Sequence, residues 1–175
     1  MKLNFNYEII LNILDKKPDL GKTAIMKMVY ILQQVFDVKT NYSFGIYTYG
    51  PYSRDVSEDL DFLVYGQFVD AQIYEYEKFS AYKFSVSSKG IESKGTISQN
   101  DDKKISSVLE LFGDKKVKEL ELDSTIIFIN HQYNQNKWEK SKSEIISDVR
   151  DIKSHFTESE VGKAYDNLIK SNMLA

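Results

Sequence analysis

The sequence predicts an α+β protein that is mostly helical: a winged-helix-like N-terminal part with a β-hairpin, followed by a helical C-terminal part. Three observations lead to this class. Two helical patterns, a short strand and a third helical pattern open the chain. The hydrophobic period then changes from helical to alternating over residues 68–87, as a hairpin requires. Every pattern after residue 103 is helical again.

The first two helices and the first strand are bounded by proline and glycine. Apolar residues recur every three or four positions from about Asn4 to Lys16, and Pro18 ends this helix. The same spacing predicts a second helix from about Lys22 to Phe36. The aromatic segment from Ser43 to Tyr49 is rich in β-favouring residues and predicts a strand that stops at Gly50-Pro51.

A third helix and a hairpin complete the N-terminal part. Ser53 suits the N-cap of a helix that runs to about Tyr65, and Gly66 is its predicted C-terminal stop. Alternating apolar residues then predict strands over Phe68 to Tyr76 and Tyr82 to Ser87, with one half-buried face.

The remainder of the chain is predicted to be helical. The polar stretch from Ser98 to Lys104 is the best candidate for a hinge or linker. Thr157 is the expected N-cap of the last helix, with Glu160 at the capping-box position. We predict a winged-helix-like domain over residues 1–97 and a helical subdomain over 98–175, or one compact domain. The predicted helices cover about 103–112, 115–133, 143–156 and 158–171.

Composition limits the classes of function. Lys and Arg total 23, Asp and Glu total 26, and the net charge is −3. The chain has no cysteine, which excludes disulfides and thiolate chemistry. No apolar run approaches the ~20 residues of a membrane span. These features predict a cytoplasmic protein with no membrane contact.

One segment looks like part of a phosphate-binding loop. Gly21, Lys22 and Thr23 match the end of that motif, but Lys16 occupies the position of its first glycine. Pro18 lies inside the would-be loop, so the backbone amides could not wrap a phosphate. We interpret the segment as a loop and a helix start.

The titratable side chains do not form a pattern that is typical of a catalytic site. Asp55, Glu58 and Asp59 cluster on the third helix, at positions that predict a hydrated face. An enzyme would need Asp55 and Glu58 to converge with His155 in one pocket. We therefore predict a protein that is not an enzyme, with no cofactor, no metal site and no catalytic residue.

The same helix is a poor DNA reader. In a winged helix it would enter the major groove, yet it carries one arginine, Arg54, among several acids. The hairpin lysines, Lys78 and Lys83, are offset by nearby glutamates. DNA binding through the usual surface is therefore possible but disfavoured, and binding to another protein is the favoured prediction.

Tyrosines concentrate where the first strand meets the third helix. Their rings combine apolar area with a hydrogen-bonding tip, which is common at interfaces. We predict an interaction surface there. Its residues are Tyr47, Tyr49, Tyr52, Arg54, Asp55, Glu58 and Asp59.

Two motifs carry a family resemblance. They are Gly21-Lys22-Thr23 with Lys27, and Phe44 and Tyr47 with Gly50-Pro51-Tyr52-Ser53. With its helical tail, the chain resembles the YwgA-type uncharacterised prokaryotic family, which is distantly similar to the Panacea (SocA-like) antitoxin domain. The resemblance covers nearly the whole chain and implies no known catalytic residue. Its implied partner is a protein such as a toxin.

The sequence thus predicts a regulatory protein-interaction module that is antitoxin-like or defence-associated. Its partner would be another protein or a second copy in a homodimer. The alternative is a winged-helix transcriptional regulator that binds DNA.

Overall fold

The computed structural model describes residues 3–77, 79–139 and 141–174. Eight helices and five short strands lie within these residues, so the prediction of a mostly helical α+β class is confirmed. The helices are α1 Phe5–Lys16, α2 Lys22–Gln34, α3 Arg54–Tyr65, α4 Ser88–Ser93, α5 Gln99–Phe112, α6 Val117–Asn136, α7 Lys142–Ile152 and α8 Glu158–Lys170. The strands are β1 Leu20–Gly21, β2 Gly45–Tyr47, β3 Gly50–Tyr52, β4 Val69–Glu75 and β5 Ser80–Val86.

The chain forms two compact units, of which the first comprises Met1–Gly45 and Tyr52–Lys115. Its core consists of the buried faces of α1 and α2, against which α5 packs. A three-stranded antiparallel sheet has the order β1-β5-β4. Phe84 is paired with both Leu20 and Ala71 in this sheet. Because Phe84 is buried, it ties the sheet to the apolar core of this unit.

The second unit comprises Ile46–Pro51 and Lys116–Ala175. Helices α6, α7 and α8 pack against one another, and their apolar faces are buried. The predicted cap of α8 is confirmed, because Thr157 Oγ1 accepts a hydrogen bond from the Glu160 backbone N–H and Glu160 caps in return. Ser141 and Glu144 form the same reciprocal cap on α7. The helices of this unit therefore begin where local hydrogen bonding dictates.

The compact units divide between Lys115 and Lys116 rather than at residue 97. The predicted linker at Ser98 to Lys104 is wrong. The Ser98 hydroxyl accepts a hydrogen bond from the Asp101 backbone N–H and caps α5. Aspartates in the first turn favour that helix start through the helix dipole, and α5 packs on α1 and α2. A polar N-terminal turn resembled a linker because its apolar anchors, such as Ile105, come only later.

Three other local features differ from the prediction. The strand expected over Ser43 to Tyr49 is limited to β2, which pairs with β3 across a tight turn. The segment after the hairpin, where no helix is predicted, forms α4, which is capped by the Ser87 hydroxyl. Tyr82 is one of the alternating apolar residues from which a half-buried hairpin face is predicted, yet it is 57% exposed.

None of the described helices combines the length and the apolar character that crossing a lipid bilayer requires.

Candidate functional site

The turn between β2 and β3 exposes two aromatic rings in the second unit. We call the segment Tyr47-Thr48-Tyr49 the tyrosine turn. Tyr47 and Tyr49 are each 62% exposed. Exposed apolar area that is contiguous is a mark of protein-binding surfaces, in which tyrosine is enriched. Both belong to the interaction surface that the sequence predicts, whereas Tyr52, beyond the turn, is half-buried.

A buried lysine holds the tyrosine turn from the inside. Lys153 follows the last residue of α7, and its backbone N–H closes that helix on the Val149 carbonyl at 2.8 Å. Its side chain is 3% exposed. The Nζ donates hydrogen bonds to the backbone carbonyls of Tyr47, at 2.9 Å, and of Thr48. Hydrogen bonds from a charged donor contribute about 1.5–3 kcal/mol each, so the backbone of the turn is fixed while its rings stay exposed.

A carboxylate balances the charge of this lysine. Glu121, on α6, is 7% exposed at its side chain, and its Oε1 lies 3.0 Å from Lys153 Nζ. The atoms are close, but Oε1 accepts no hydrogen bond of good geometry among the described residues. The attraction is therefore mainly electrostatic. A buried charge without a counter-ion is strongly unfavourable, so each member of the pair requires the other.

A histidine stands at the solvent side of the pair. The Nε2 of His155 lies 3.5 Å from Glu121 Oε1, and the imidazole is 52% exposed. These side chains and the tyrosine turn border an open cleft of about 450 Å³. Its lining residues are Ile46, Tyr47, Thr48, Tyr49, Glu121, Ile152, Lys153, Ser154 and His155.

The cleft has a charged floor and an exposed rim. Lys153 already neutralises Glu121, and this carboxylate is almost completely buried. The exposed lining residues are Tyr47, Thr48, Tyr49, Ile152, Ser154 and His155, so aromatic and aliphatic area stands beside two hydroxyl groups and an imidazole. Aromatic and aliphatic groups around a polar floor are typical of protein-binding surfaces. Among the residues that the structure describes, no three His, Asp or Glu side chains form a group able to hold a metal ion.

Gly50 explains why the turn requires its particular sequence. Its φ of +88° lies in the left-handed region. A Cβ there would lie 3.0 Å from Thr125 Oγ1 and 3.2 Å from Ser124 Oγ, both on α6. Only glycine meets both conditions without strain. The glycine of the family motif thus brings the tyrosine turn close to α6.

Of the other motif residues, Pro51 belongs to the second unit and the rest belong to the first. Gly21 precedes α2 as its N-cap, and Lys22 forms an exposed ion pair with Asp61 at 3.0 Å. Lys27 is 2% exposed. Ser53 is buried and caps α3, accepting a hydrogen bond from the Val56 backbone N–H. Thr23 lies in the first turn of α2, next to Lys22, and Pro51 is buried in β3.

The acidic face of α3 is only partly the hydrated surface that the sequence predicts. Asp55 and Glu58 are exposed, and Glu58 binds Arg54 at 2.6 Å. Asp59 is half-buried, which corrects the expectation, and it accepts a hydrogen bond from the Tyr42 hydroxyl at 2.6 Å. Burial raises the pKa of Asp59 despite this bond, and the pKa of Tyr42 is raised mainly by its own burial.

Asp55 and Glu58 were hypothesised to act with His155. The two carboxylates belong to α3 of the first unit, whereas His155 belongs to the second. The groups that the structure places beside His155 are Glu121 and the ring of Phe156, whose centroid is 4.3 Å away.

Sequence reasoning missed Glu121 and Lys153. One signal was present: Glu121 lies between Leu120 and Leu122 on a helix whose buried positions include all three. A charged residue at a core position needs a partner. The partner itself could not be found, because Lys153 is distant in sequence and its other contacts are backbone carbonyls, which have no residue signature.

Compared with protein-family models and with curated proteins, the chain matches none. The resemblance to the YwgA-type family therefore stays a prediction.

Proposed function

We propose that this protein is a non-enzymatic protein-interaction module of an antitoxin-like or defence-associated kind, acting in the cytoplasm. The observation that carries the proposal is the tyrosine turn, where two exposed rings stand on a backbone held by the buried Lys153. Its partner is another protein, such as a toxin.

Rigidity is what favours binding at this turn. An aromatic side chain loses little conformational entropy on binding when its backbone is already fixed. The ammonium of Lys153 fixes two successive carbonyls, and Gly50 holds the next residues close to α6. Such preorganised tyrosines are the usual anchors of protein interfaces.

The buried ion pair supports a binding role in a second way. Glu121 is shielded and neutralised, so a docking partner would not have to desolvate a free carboxylate. The rings of Tyr47 and Tyr49, together with Ile152, supply apolar area around the cleft. A partner with an aliphatic or aromatic side chain can occupy that area.

The test is to recover the partner and measure its dependence on the turn. A tagged chain is expressed in its native host, the product of the adjacent gene is co-expressed, and bound proteins are identified. The dissociation constant is then measured for Tyr47→Ala and Tyr49→Ala. Each should weaken binding by about 30-fold, since anchor residues contribute about 2 kcal/mol or more.

Tyr65 provides the matched control. It is also an exposed tyrosine, at 93%, but it ends α3. Tyr65→Ala should leave the dissociation constant unchanged. Failure to recover any reproducible partner, or an equal loss in all three variants, would contradict the proposal.

A DNA-binding regulator is the second candidate, and the topology of the first unit supports it. Helices α1 to α3 with a sheet of order β1-β5-β4 match the arrangement of a winged helix, which we also propose for this unit. The cations on that surface are engaged: Arg54 pairs with Glu58, and Lys83 lies over the ring of Tyr74. Lys78 lies outside the described residues.

This alternative predicts a salt-dependent gel shift of the protein's own promoter DNA, which Arg54→Ala or Lys83→Ala would weaken. Absence of a shift at low salt would remove it and leave the protein-binding proposal in place.

A further inference from the structure

Strand β4 is an open sheet edge. In the order β1-β5-β4 it is bonded on one side to β5, and among residues 3–77, 79–139 and 141–174 no strand pairs with its other side. Four consecutive residues, Asp70 to Ile73, are exposed. Proteins usually protect such an edge with lysine, proline or a bulge. β4 contains neither lysine nor proline and its register with β5 has no bulge, while its two charged residues, Asp70 and Glu75, lie towards the ends of the strand.

The hydrogen-bond pattern shows which groups face outward. Tyr76 N–H donates to the Phe79 carbonyl, and Ser87 N–H donates to the Phe68 carbonyl. These bonds bracket the β4–β5 ladder, and bonded pairs alternate with non-bonded pairs in an antiparallel ladder. The even-numbered residues of β4 therefore bond to β5. The N–H and C=O groups of Ala71 and Ile73 point away from it.

We propose that β4 pairs antiparallel with β4 of a second copy of this chain, in the register that places Gln72 opposite Gln72. This register brings the outward groups of Ala71 opposite those of Ile73 in the other copy, so each pair exchanges two backbone hydrogen bonds. Because Gln72 is the central residue of the seven in β4, pairing about it uses the greatest length of strand.

The side chains are self-complementary in the same register. On one face Ala71 meets Ile73 of the other copy, and Ile73 continues into Tyr82, its neighbour on β5. Ile73 and Tyr82 are 56% and 57% exposed, so pairing would bury apolar area on both copies.

On the opposite face of the strand, this register would bring charged groups of opposite sign together. Asp70 would lie opposite Tyr74 of the other copy, and the Nζ of Lys83 lies 5.0 Å from the centroid of that ring within each chain. The two-fold symmetry of the pair repeats this acid–base contact. In a register shifted by one residue, with Ile73 opposite itself, Asp70 would face Tyr76 instead of Tyr74 and would lose its contact with Lys83. The charge pattern therefore selects the central register.

This dimer is independent of the tyrosine turn, which belongs to the second unit. Its interface is small, so association should be reversible and concentration-dependent. Sedimentation velocity over rising protein concentration should show exchange between monomer and dimer. A monomer at every concentration would overturn the proposal.

Two variants locate the interface. Ile73→Lys places a charge on the edge and should abolish the dimer. Ile91→Lys is the matched control, because Ile91 is similarly exposed, at 53%, but lies on α4. Equal sedimentation of both variants would contradict pairing at β4. Circular dichroism of each variant shows that any loss of dimer is not a loss of fold.

Register is tested by cross-linking, since the natural chain has no cysteine. Gln72→Cys should oxidise to a disulfide-linked dimer, because residues in a non-bonded antiparallel pair have Cα atoms about 4.5 Å apart, within disulfide reach. Asp70→Cys, on the same strand and face, should oxidise much more slowly. Equal rates would refute the central register.

Charge complementarity has its own test, which separates contacts between copies from contacts within one. Asp70→Lys alone and Lys83→Asp alone should each dimerise more weakly than the natural chain. An equimolar mixture should dimerise more strongly than either, because the acid of each contact then faces a base again. A mixture no stronger than its components would exclude the Asp70–Lys83 contact.

Discussion

Replacing Lys153 by methionine removes the buried charge that joins the Glu121 carboxylate to two backbone carbonyls of the tyrosine turn. The change leaves the Glu121 carboxylate, 7% exposed, without a counter-ion, and the carbonyls of Tyr47 and Thr48 lose their charged donor. Breaking a buried pair by removing one partner costs about 3–5 kcal/mol. We expect the free energy of unfolding of the second unit to fall by that amount, because methionine has a similar volume and creates little cavity.

A double-mutant cycle isolates the ion pair. Glu121→Leu with Lys153→Met removes both charges, so the unpaired carboxylate is no longer buried. The double variant should lose less stability than the sum of the single variants, by about 2–3 kcal/mol. The carbonyls of the tyrosine turn stay without their donor in both Lys153→Met backgrounds, so their contribution cancels in the comparison.

Lys142 supplies a control within the same unit. It binds Asp166 at 2.7 Å, but the two side chains are 46% and 49% exposed. Solvent screens such a pair, and Lys142→Met should cost less than about 1 kcal/mol. The comparison holds the substitution and the unit constant, and it changes the burial of the ion pair and the two hydrogen bonds to backbone carbonyls.

Urea unfolding gives the measurement. The single tryptophan, Trp138, follows α6 in the second unit and lies 5.6 Å from Tyr133 between ring centroids, so its fluorescence reports on this unit. Linear extrapolation of the transition gives the free energy of unfolding. If Lys153→Met lost no more than Lys142→Met, the assignment of Lys153 as a buried charge that organises the tyrosine turn would be wrong.

Four further substitutions test the local structure. Gly50→Ala should lower the free energy of unfolding by about 1–2 kcal/mol through left-handed strain alone. Gly162→Ala should raise it by about 0.5–1 kcal/mol, because Gly162 lies within α8 and an added Cβ would be 3.7 Å from its nearest neighbouring atom. Urea titration compares the two variants. Thr157→Ala should cost about 1 kcal/mol by removing the α8 cap, measured in the same way. Burial raises the pKa of Asp59, so its contribution to stability is present below the unfolded pKa of about 3.9 and is lost as pH rises through the folded pKa. The Asp59→Asn variant should therefore be more stable than the natural chain at neutral pH, and this difference in stability should disappear in acid. An equal difference at neutral and acidic pH would show that the raised pKa of Asp59 is not its cause.

Local rules predicted the helices well because their information is local. The start of α8 depends on Thr157 and Glu160, which are neighbours, and the stop of α1 depends on Pro18. The start of α5 misled sequence reasoning for the same reason. Ser98 and the aspartates after it suit either a linker or a capped helix, and only packing on α1 and α2 distinguishes them.

The candidate site was only partly visible for a different reason. Exposed tyrosines can be suspected from composition and position, and Tyr47 and Tyr49 were. The support beneath them depends on α6 and α7 approaching the same turn. The contacts of Lys153 join residues that are far apart in sequence, and two of them end on backbone carbonyls. Hydrophobic periodicity therefore cannot reveal them.

The motif residues show why a shared sequence motif need not indicate a shared binding partner. Gly50 satisfies a left-handed φ against α6, and Ser53 caps α3. These tasks favour the motif residues whatever the protein binds, because a residue other than glycine at position 50 strains the backbone and a residue that cannot cap at position 53 exposes helix amides. The exposed rings of Tyr47 and Tyr49 have no such constraint from the fold. Chains that share the Gly-Pro-Tyr-Ser segment should therefore keep the turn, while the side chains displayed on it determine the partner.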